Sequence, residues 1–380
     1  MVFAGLLYLS AEVTRSSVPV AEDAMSDLLL KPSPSSTSVF DQRTATFLEA
    51  KRNASLVDAG RCLMDRTDGS YAYCFPSLIC IGAMKAGTFE LKQWLEEHPR
   101  IAAASRERHF FGFGNRLGRK AWEEYVMGAQ EWRLRRGQVA KGTITFEKTP
   151  YYIASTVAAM EMHGMLPRVK LVALLRDPTA RAYSSFFHHC ERNSRLVHDA
   201  KGRVVFNEDC KTVEQCCCAP NDNPAPRKAK VLAKCNPTNF QSYVASTEID
   251  AESPKLGTIL RKGLYAAQLS VYLELFGRDR LLVMDSKAFA RDPARAVQRV
   301  FAFMRLAPHD YGTRAAQNNQ GFWYIKGKES KSNKQKPYPP MLPSSKDALD
   351  KFYSEPNQEL ATLFPDVKFD WIPGDAEEAG

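Results

Sequence analysis

The chain has 380 residues, a formal net charge of +9 at neutral pH, and a composition that is 44% hydrophobic and 11% aromatic. That apolar content excludes a chain dominated by disorder, and the length suits one α/β domain of roughly 250 to 300 residues with extensions. The charge favours an anionic partner such as a nucleotide, an anionic lipid surface or an acidic polysaccharide; without zinc-finger spacing or an RNA-binding aromatic signature, nucleic acid is the weakest of the anionic options.

The first residues, Met1 to Leu9, form an apolar run far below the ~20 residues that span a bilayer, and no basic residue precedes it. It reads either as a frayed apolar start or as the remainder of a signal or anchor that begins upstream. Residues 10 to about 70 are rich in Ser, Thr, Pro and charge, as in Lys31-Pro-Ser-Pro-Ser-Ser-Thr-Ser38, and residues 1–74 are read as a stem or linker. Asn53-Ala-Ser55 is a glycosylation sequon, a short match that agrees with a secretory route.

From Phe75 onward strands and helices alternate, and 75–372 is taken as the main domain. Leu78 to Ile81 predict a buried strand that runs into Gly82-Ala-Met-Lys-Ala-Gly-Thr-Phe89, with Thr88 the expected N-cap of a helix ended by Pro99. Glycines let the backbone approach a ligand, helix N–H groups carry partial positive charge, and Lys85 adds a full one, so Lys85, Ala86, Gly87, Thr88 and Phe89 form a candidate phosphate cradle. A nucleotide-hydrolysing P-loop places lysine after its second glycine, followed by Ser or Thr for magnesium. Here Lys85 precedes Gly87, which points away from ATP chemistry.

Downstream come Ile101 to Phe113, a helix around Arg119 to Met127, a strand Val139 to Phe146 leading into Glu147-Lys-Thr-Pro150, and the apolar strand Val169 to Leu175. Asp177-Pro178 predicts a new helix, aspartate as N-cap and proline at its first position. Residues 191–257 read as a loop-rich, Cys-rich insertion. Cys210, Cys216, Cys217, Cys218 and Cys235 suit disulfides in an oxidising lumen better than a zinc site, because adjacent cysteines lack chelating spacing. Cys80 reads as a small buried hydrophobe. Helical spacing returns from Ile259 to Phe276, Gly277 stops it, and a strand Leu281 to Met284, a helix from Asp292-Pro293 to Met304, a lysine-rich loop Lys326 to Lys336 and a last helix of about Ser344 to Leu363 follow. Repeated β-then-α units imply a mostly parallel sheet flanked by helices, with ligands at the carboxyl ends of the strands.

A second candidate grip follows strand Val169 to Leu175: Arg176 at its carboxyl end and Ser184 almost two turns along the next helix can face one crevice and hold another phosphate. The plainer alternative pairs Arg176 with Asp177 and turns Ser184 to solvent. His188 and His189 point about 100° apart on a helix and so do not chelate one ion together.

Five segments in order, Ile81 to Thr88, Arg106-Glu-Arg-His-Phe-Phe111, Glu147-Lys-Thr-Pro150, Arg176 to Ser184 and Arg261-Lys-Gly-Leu-Tyr265, resemble the Golgi carbohydrate sulfotransferases of the heparan sulfate and chondroitin type. The resemblance implies a P-loop-NTPase-like three-layer α/β fold and 3′-phosphoadenosine 5′-phosphosulfate (PAPS) as sulfuryl donor, with no metal. It implies that Lys85 to Phe89 hold the 5′-phosphosulfate, that Arg176 and Ser184 hold the 3′-phosphate, and that Glu107 is the general base. Lys148 lies near the sulfuryl group, His109 and Arg108 on the acceptor side. Lys331 and Lys334 fall in the segment that closes over the cofactor, although Lys331-Ser-Asn-Lys-Gln-Lys336 departs from the family's tighter pattern. Phe322-Trp-Tyr324 is either an adenine platform or ordinary core.

The implied acceptor is an anionic or neutral glycan in the Golgi lumen, reached by a protein anchored at or upstream of its N-terminus. Proton removal, charge balance at the transferring oxygens and stabilisation of the leaving phosphate are the tasks that a carboxylate, two lysines and helix N–H groups can perform. Glu107 with an ordinary pKa near ~4.3 is ionised at neutral pH; the bland alternative is a surface pair with Arg106 or Arg108. Two competing functions are a P-loop kinase or NTPase and a glycan-binding protein of the same fold that has lost transfer.

Overall fold

A computed structural model describes residues 62–64, 71–74, 76–112, 143–193, 196–198, 204–206, 235–247, 257–319, 321–328 and 338–372. The stem, the helix expected at 119–127, Cys210, Cys216 to Cys218, Lys331 and Lys334 lie outside the described residues.

The described residues begin with a two-stranded antiparallel pair, β1 (Cys62–Met64) and β2 (Tyr71–Cys74). It then enters the sheet at β3 (Leu78–Gly82), whose residues are all buried. A short run apolar on both faces belongs at a sheet centre, and β3 occupies it. After α1 (Thr88–Leu95) come β4 (Ile101–Ala103) and β5 (Ile144–Lys148), then α2 (Thr156–Met165) and β6 (Lys170–Leu175). The helix α3 (Pro178–Asn193) is followed by a small antiparallel pair, β7 (Leu196–His198) and β8 (Val204–Phe206), and by α4 (Pro237–Ser246). Next are α5 (Thr258–Arg261), α6 (Tyr265–Phe276), β9 (Leu281–Asp285), α7 (Ser286–Arg291) and α8 (Pro293–Phe303). The antiparallel pair β10 (Ala315–Gln317) and β11 (Trp323–Ile325) precedes the last helix, α9 (Pro343–Leu363).

Five strands form the central sheet in the order β4-β5-β3-β6-β9, every neighbouring pair parallel. Helices flank it, α1 packing on α8, and α6 on α2 and α9. The expected α/β architecture is therefore present. The Asp-Pro helix starts are present too. Asp177 Oδ1 accepts the Thr179 N–H at 3.0 Å ahead of α3, and Asp292 Oδ1 accepts that of Arg295 at 3.0 Å ahead of α8. Gly277 closes α6 with φ 75°.

Local readings need correction at several points. Strand β5 runs on through Lys148, so Glu147 and Lys148 are strand residues rather than the start of a loop. The helix expected from Ile259 to Phe276 is two helices broken around Gly263. A Cβ on Gly263 would lie 2.8 Å from the Tyr353 ring, and the Tyr353 hydroxyl donates to Leu260 O at 2.7 Å. This close docking of α9 leaves no room for a side chain at residue 263. Within 191–257 the described residues include α4, β7 and β8. Cys235, just ahead of α4, is bonded to Cys190 near the end of α3 across 45 residues. Phe186, Phe240 and Tyr243 pack around this junction.

Cross-linking a loop of this length stabilises a fold by about 4 kcal/mol in the chain-entropy treatment. The pair Cys190→Ala/Cys235→Ala should lower the unfolding free energy by about 2 to 4 kcal/mol in denaturant titrations, with the midpoint falling accordingly. An unchanged midpoint would mean that the aromatic packing alone holds α3 to α4.

Candidate functional site

The loop after β3 is tied to the neighbouring strand before it turns, because Ala83 N–H donates to Leu174 O at 2.7 Å. The backbone then passes through left-handed conformations at Lys85 (φ 71°) and Gly87 (φ 91°). Glycine meets this requirement at 87 without a Cβ penalty. The expected N-cap, Thr88, is instead the first residue of α1; Gly87 is the N-cap and its carbonyl accepts from Leu91 N at 3.0 Å. A β-branched residue is poorly suited to the positive φ that this cap adopts. The cradle keeps its chemistry, since the first backbone N–H groups of α1 have no partner within the helix.

Arg176 follows β6 directly and donates from Nη1 to the carbonyl of Lys85 at 3.2 Å. The two loops that sequence analysis treats separately are thus in contact. Burial lowers the pKa of Arg176, partly offset by Tyr265 and Asp177. Tyr265, at the start of α6, donates its hydroxyl to the Arg176 carbonyl at 2.9 Å. Ser184 is 7% exposed on α3 and faces the site rather than bulk solvent.

These residues share one cavity of about 1530 Å³. Lys85, Ala86, Gly87, Thr88 and Phe89 line one part, and Arg176 and Ser184 line another with His188. Glu107, His109 and Lys148 line it too, whereas Arg108 does not. An aromatic wall is supplied by Trp94, Phe289, Phe322, Trp323 and Trp371, and Tyr324 lies outside it.

Glu107 stands four residues past β4. Its Oε1 accepts a hydrogen bond from Lys148 Nζ, and its Oε2 lies 3.2 Å from His109 Nε2. The partners are therefore Lys148 and His109, not the flanking arginines. Burial by itself would raise the Glu107 pKa. The His109 hydrogen bond and the Lys148 ammonium outweigh it and bring the carboxyl from 4.5 down to about 2. Lys148 reaches this position because it ends β5 in register with Cys80 of β3. Cys80 is fully buried, and burial pushes its thiol up to about 12, so it is no nucleophile at neutral pH.

Tyr265 had no assigned role in the sequence reading despite sitting in a quoted motif. Its contact with Arg176 spans 89 residues, and no local pattern encodes it. The wall residues Phe289 and Trp371 were missed for the same reason.

A depressed carboxyl pKa means that the ion pair stabilises the fold above the ordinary value, and that this contribution fades as pH falls from 4.5 towards 2. Carboxyl NMR of Glu107 should show ionisation persisting well below pH 4.5, and Lys148→Met should move the titration up towards 4.5. Identical titrations in the two proteins would remove Lys148 as the cause.

Residues 75–339 match the sulfotransferase domain family. The bifunctional heparan sulfate N-deacetylase/N-sulfotransferase 3 of Homo sapiens is 26% identical over 298 residues, covering 76% of this chain and 30% of that protein. The heparan sulfate glucosamine 3-O-sulfotransferase 6 of Mus musculus is 26% identical over 232 residues, covering 61% of this chain and 53% of that one. The matched regions thus span about a third to a half of these curated relatives. A solved sulfotransferase from Alicyclobacillus acidocaldarius aligns with 76% of this chain and 96% of its own, at 21% identity and a TM-score of 0.45.

Proposed function

The chain belongs to the sulfotransferase domain family, and from that premise we propose that it transfers the sulfuryl group of PAPS directly to a hydroxyl of a glycan, with Glu107 as general base. The observation that carries this reading is that Glu107, Lys148, the Lys85–Phe89 loop and the Arg176/Ser184 pair line one cavity. In the proposed step the acceptor oxygen attacks sulfur and its proton passes to a Glu107 carboxylate oxygen. The bond from sulfur to the bridging phosphate oxygen breaks, and 3′-phosphoadenosine 5′-phosphate (PAP) leaves.

Each group has a physical task. Lys85 and the amides opening α1 balance the charge that collects on the leaving phosphate. Arg176 and Ser184 anchor the 3′-phosphate through charge-assisted and neutral hydrogen bonds. Phe322 and Trp323 offer faces for the adenine, and Lys331 and Lys334 belong to the segment proposed to close over the cofactor.

Lys148 links the two halves of the reaction. Paired with Glu107 it keeps the carboxylate weakly basic; attracted instead to the sulfuryl oxygens of bound donor, it frees a stronger base at the moment one is needed.

The heparan sulfate enzymes among the relatives favour a glycosaminoglycan acceptor. His109 and Arg108, with Arg106, are proposed to face such a chain. Hydroxyl transfer is preferred here, and N-sulfation of an amine is the alternative. A Golgi-lumenal setting agrees with the Cys190–Cys235 bond, since disulfides persist in oxidising compartments. Among the described residues no helix is long and apolar enough to cross a membrane; a membrane anchor at or upstream of the N-terminus is proposed. Residues 1–74 are proposed as stem and 75–372 as the catalytic domain.

Incubation with labelled PAPS and a panel of glycans tests the reading, and sulfated product with stoichiometric PAP is the predicted result. Glu107→Gln should reduce turnover by at least about 100-fold while PAP affinity is preserved. Magnesium-dependent ATP turnover without sulfuryl transfer would contradict it.

A further inference from the structure

Glu147 is completely buried in β5, in register with Ile79 of β3, and the mechanism above gives it no task. Two hydroxyls converge on one of its oxygens: Thr149 Oγ1 donates to Glu147 Oε1 at 3.0 Å and the Tyr152 hydroxyl donates to it at 2.8 Å. The same two hydroxyls accept from three consecutive backbone groups of the loop that carries Glu107. Thr149 Oγ1 takes the N–H of Arg108 at 3.0 Å and of His109 at 3.4 Å, and the Tyr152 oxygen takes that of Phe110 at 2.9 Å.

A hydroxyl has one proton, and where that proton goes decides which way its lone pairs face. With both protons drawn to Glu147, the lone pairs point at the loop amides. Tyr152 keeps its proton firmly, because burial and then the negative charge of Glu147 raise its pKa well above the usual 10.0. The loop needs such support, since His109 holds φ 48°, a conformation that an L side chain seldom adopts without surrounding constraint.

We propose that Glu147 is a positioning residue that acts through Thr149 and Tyr152 to fix the backbone of residues 108–110, and so aims the Glu107 carboxylate at the acceptor oxygen. Lys148, its neighbour in β5, grips the Glu107 side chain directly, and the two residues hold one loop by its side chain and by its main chain. The inference rests on the reading of Glu107 as general base.

Thr149→Val removes one hydroxyl at nearly constant volume, and Thr149→Ser keeps it. The expected result is a kcat for Thr149→Val at least about tenfold below wild type, with KM for PAPS and Kd for PAP within about twofold, and recovery of most of kcat in Thr149→Ser. Glu147→Gln should show the same split between kcat and KM. A wild-type kcat in Thr149→Val would overturn the proposal. So would a loss of kcat, PAP affinity and melting temperature together that serine does not restore, since that pattern marks general destabilisation. If the wild type transfers no sulfuryl group, the proposed function fails and the positioning is read from Glu107 itself. Its carboxyl NMR titration moves upward in Thr149→Val if the loop is released, and stays in place if Glu147 does not position it.

Discussion

Strand β3 lies between β5 and β6, hydrogen-bonded in parallel to both, so the chain leaves all three strands at the same edge of the sheet. Three segments far apart in sequence meet there: the Lys85–Thr88 loop after β3, Lys148 at the end of β5, and Arg176 after β6. The Ala83 N–H to Leu174 carbonyl bond extends the strand contact into the loops, and the Arg176 guanidinium on the Lys85 carbonyl completes it. Without that pairing the two proposed phosphate grips would have no fixed separation. The proposed donor carries phosphates at the 3′ and 5′ positions of one ribose and so needs such a separation.

The same edge is also a balance of charge. Lys85, Lys148 and Arg176 suit a polyanionic donor, and Glu107 lines the same cavity together with Glu90, Asp177, Asp350 and Asp370. An ion pair in a partly enclosed cavity holds its members in place at the expense of their reactivity, and the Glu107 carboxyl at about 2 shows how far that goes before any ligand arrives. Binding of an anion that competes for Lys148 raises the basicity of Glu107 by the same electrostatics that depress it. Under the proposed function, donor binding and base activation are then one event rather than two.

Much of this was legible in sequence because it is local. Leu78 to Ile81 and Leu171 to Leu175 are apolar without alternation, which marks strands buried on both faces. Asp177-Pro178 and Asp292-Pro293 state helix starts in two residues, and the structure follows them. Gly87 took the cap expected of Thr88 because the cap requires a positive φ, and a hydroxyl preference is secondary to that. The need for glycine at 263 and the grip of Tyr265 on Arg176 depend on α9 and on the residue after β6, which no window around residue 263 contains. Glu147 was legible as part of a motif but not as a hub, since its significance lies in hydroxyls two and five residues away that reach back to a loop some forty residues earlier.

The central claim is that this edge binds a nucleotide by phosphates at both its 5′ and 3′ positions. Calorimetric titration with PAP, adenosine 5′-monophosphate and magnesium ATP tests it most directly. The account predicts that PAP binds at least about tenfold more tightly than the monophosphate, as expected for one charge-assisted phosphate grip, and that Arg176→Ala abolishes the difference. Equal affinities for PAP and the monophosphate, or tighter binding of magnesium ATP than of PAP, would contradict it.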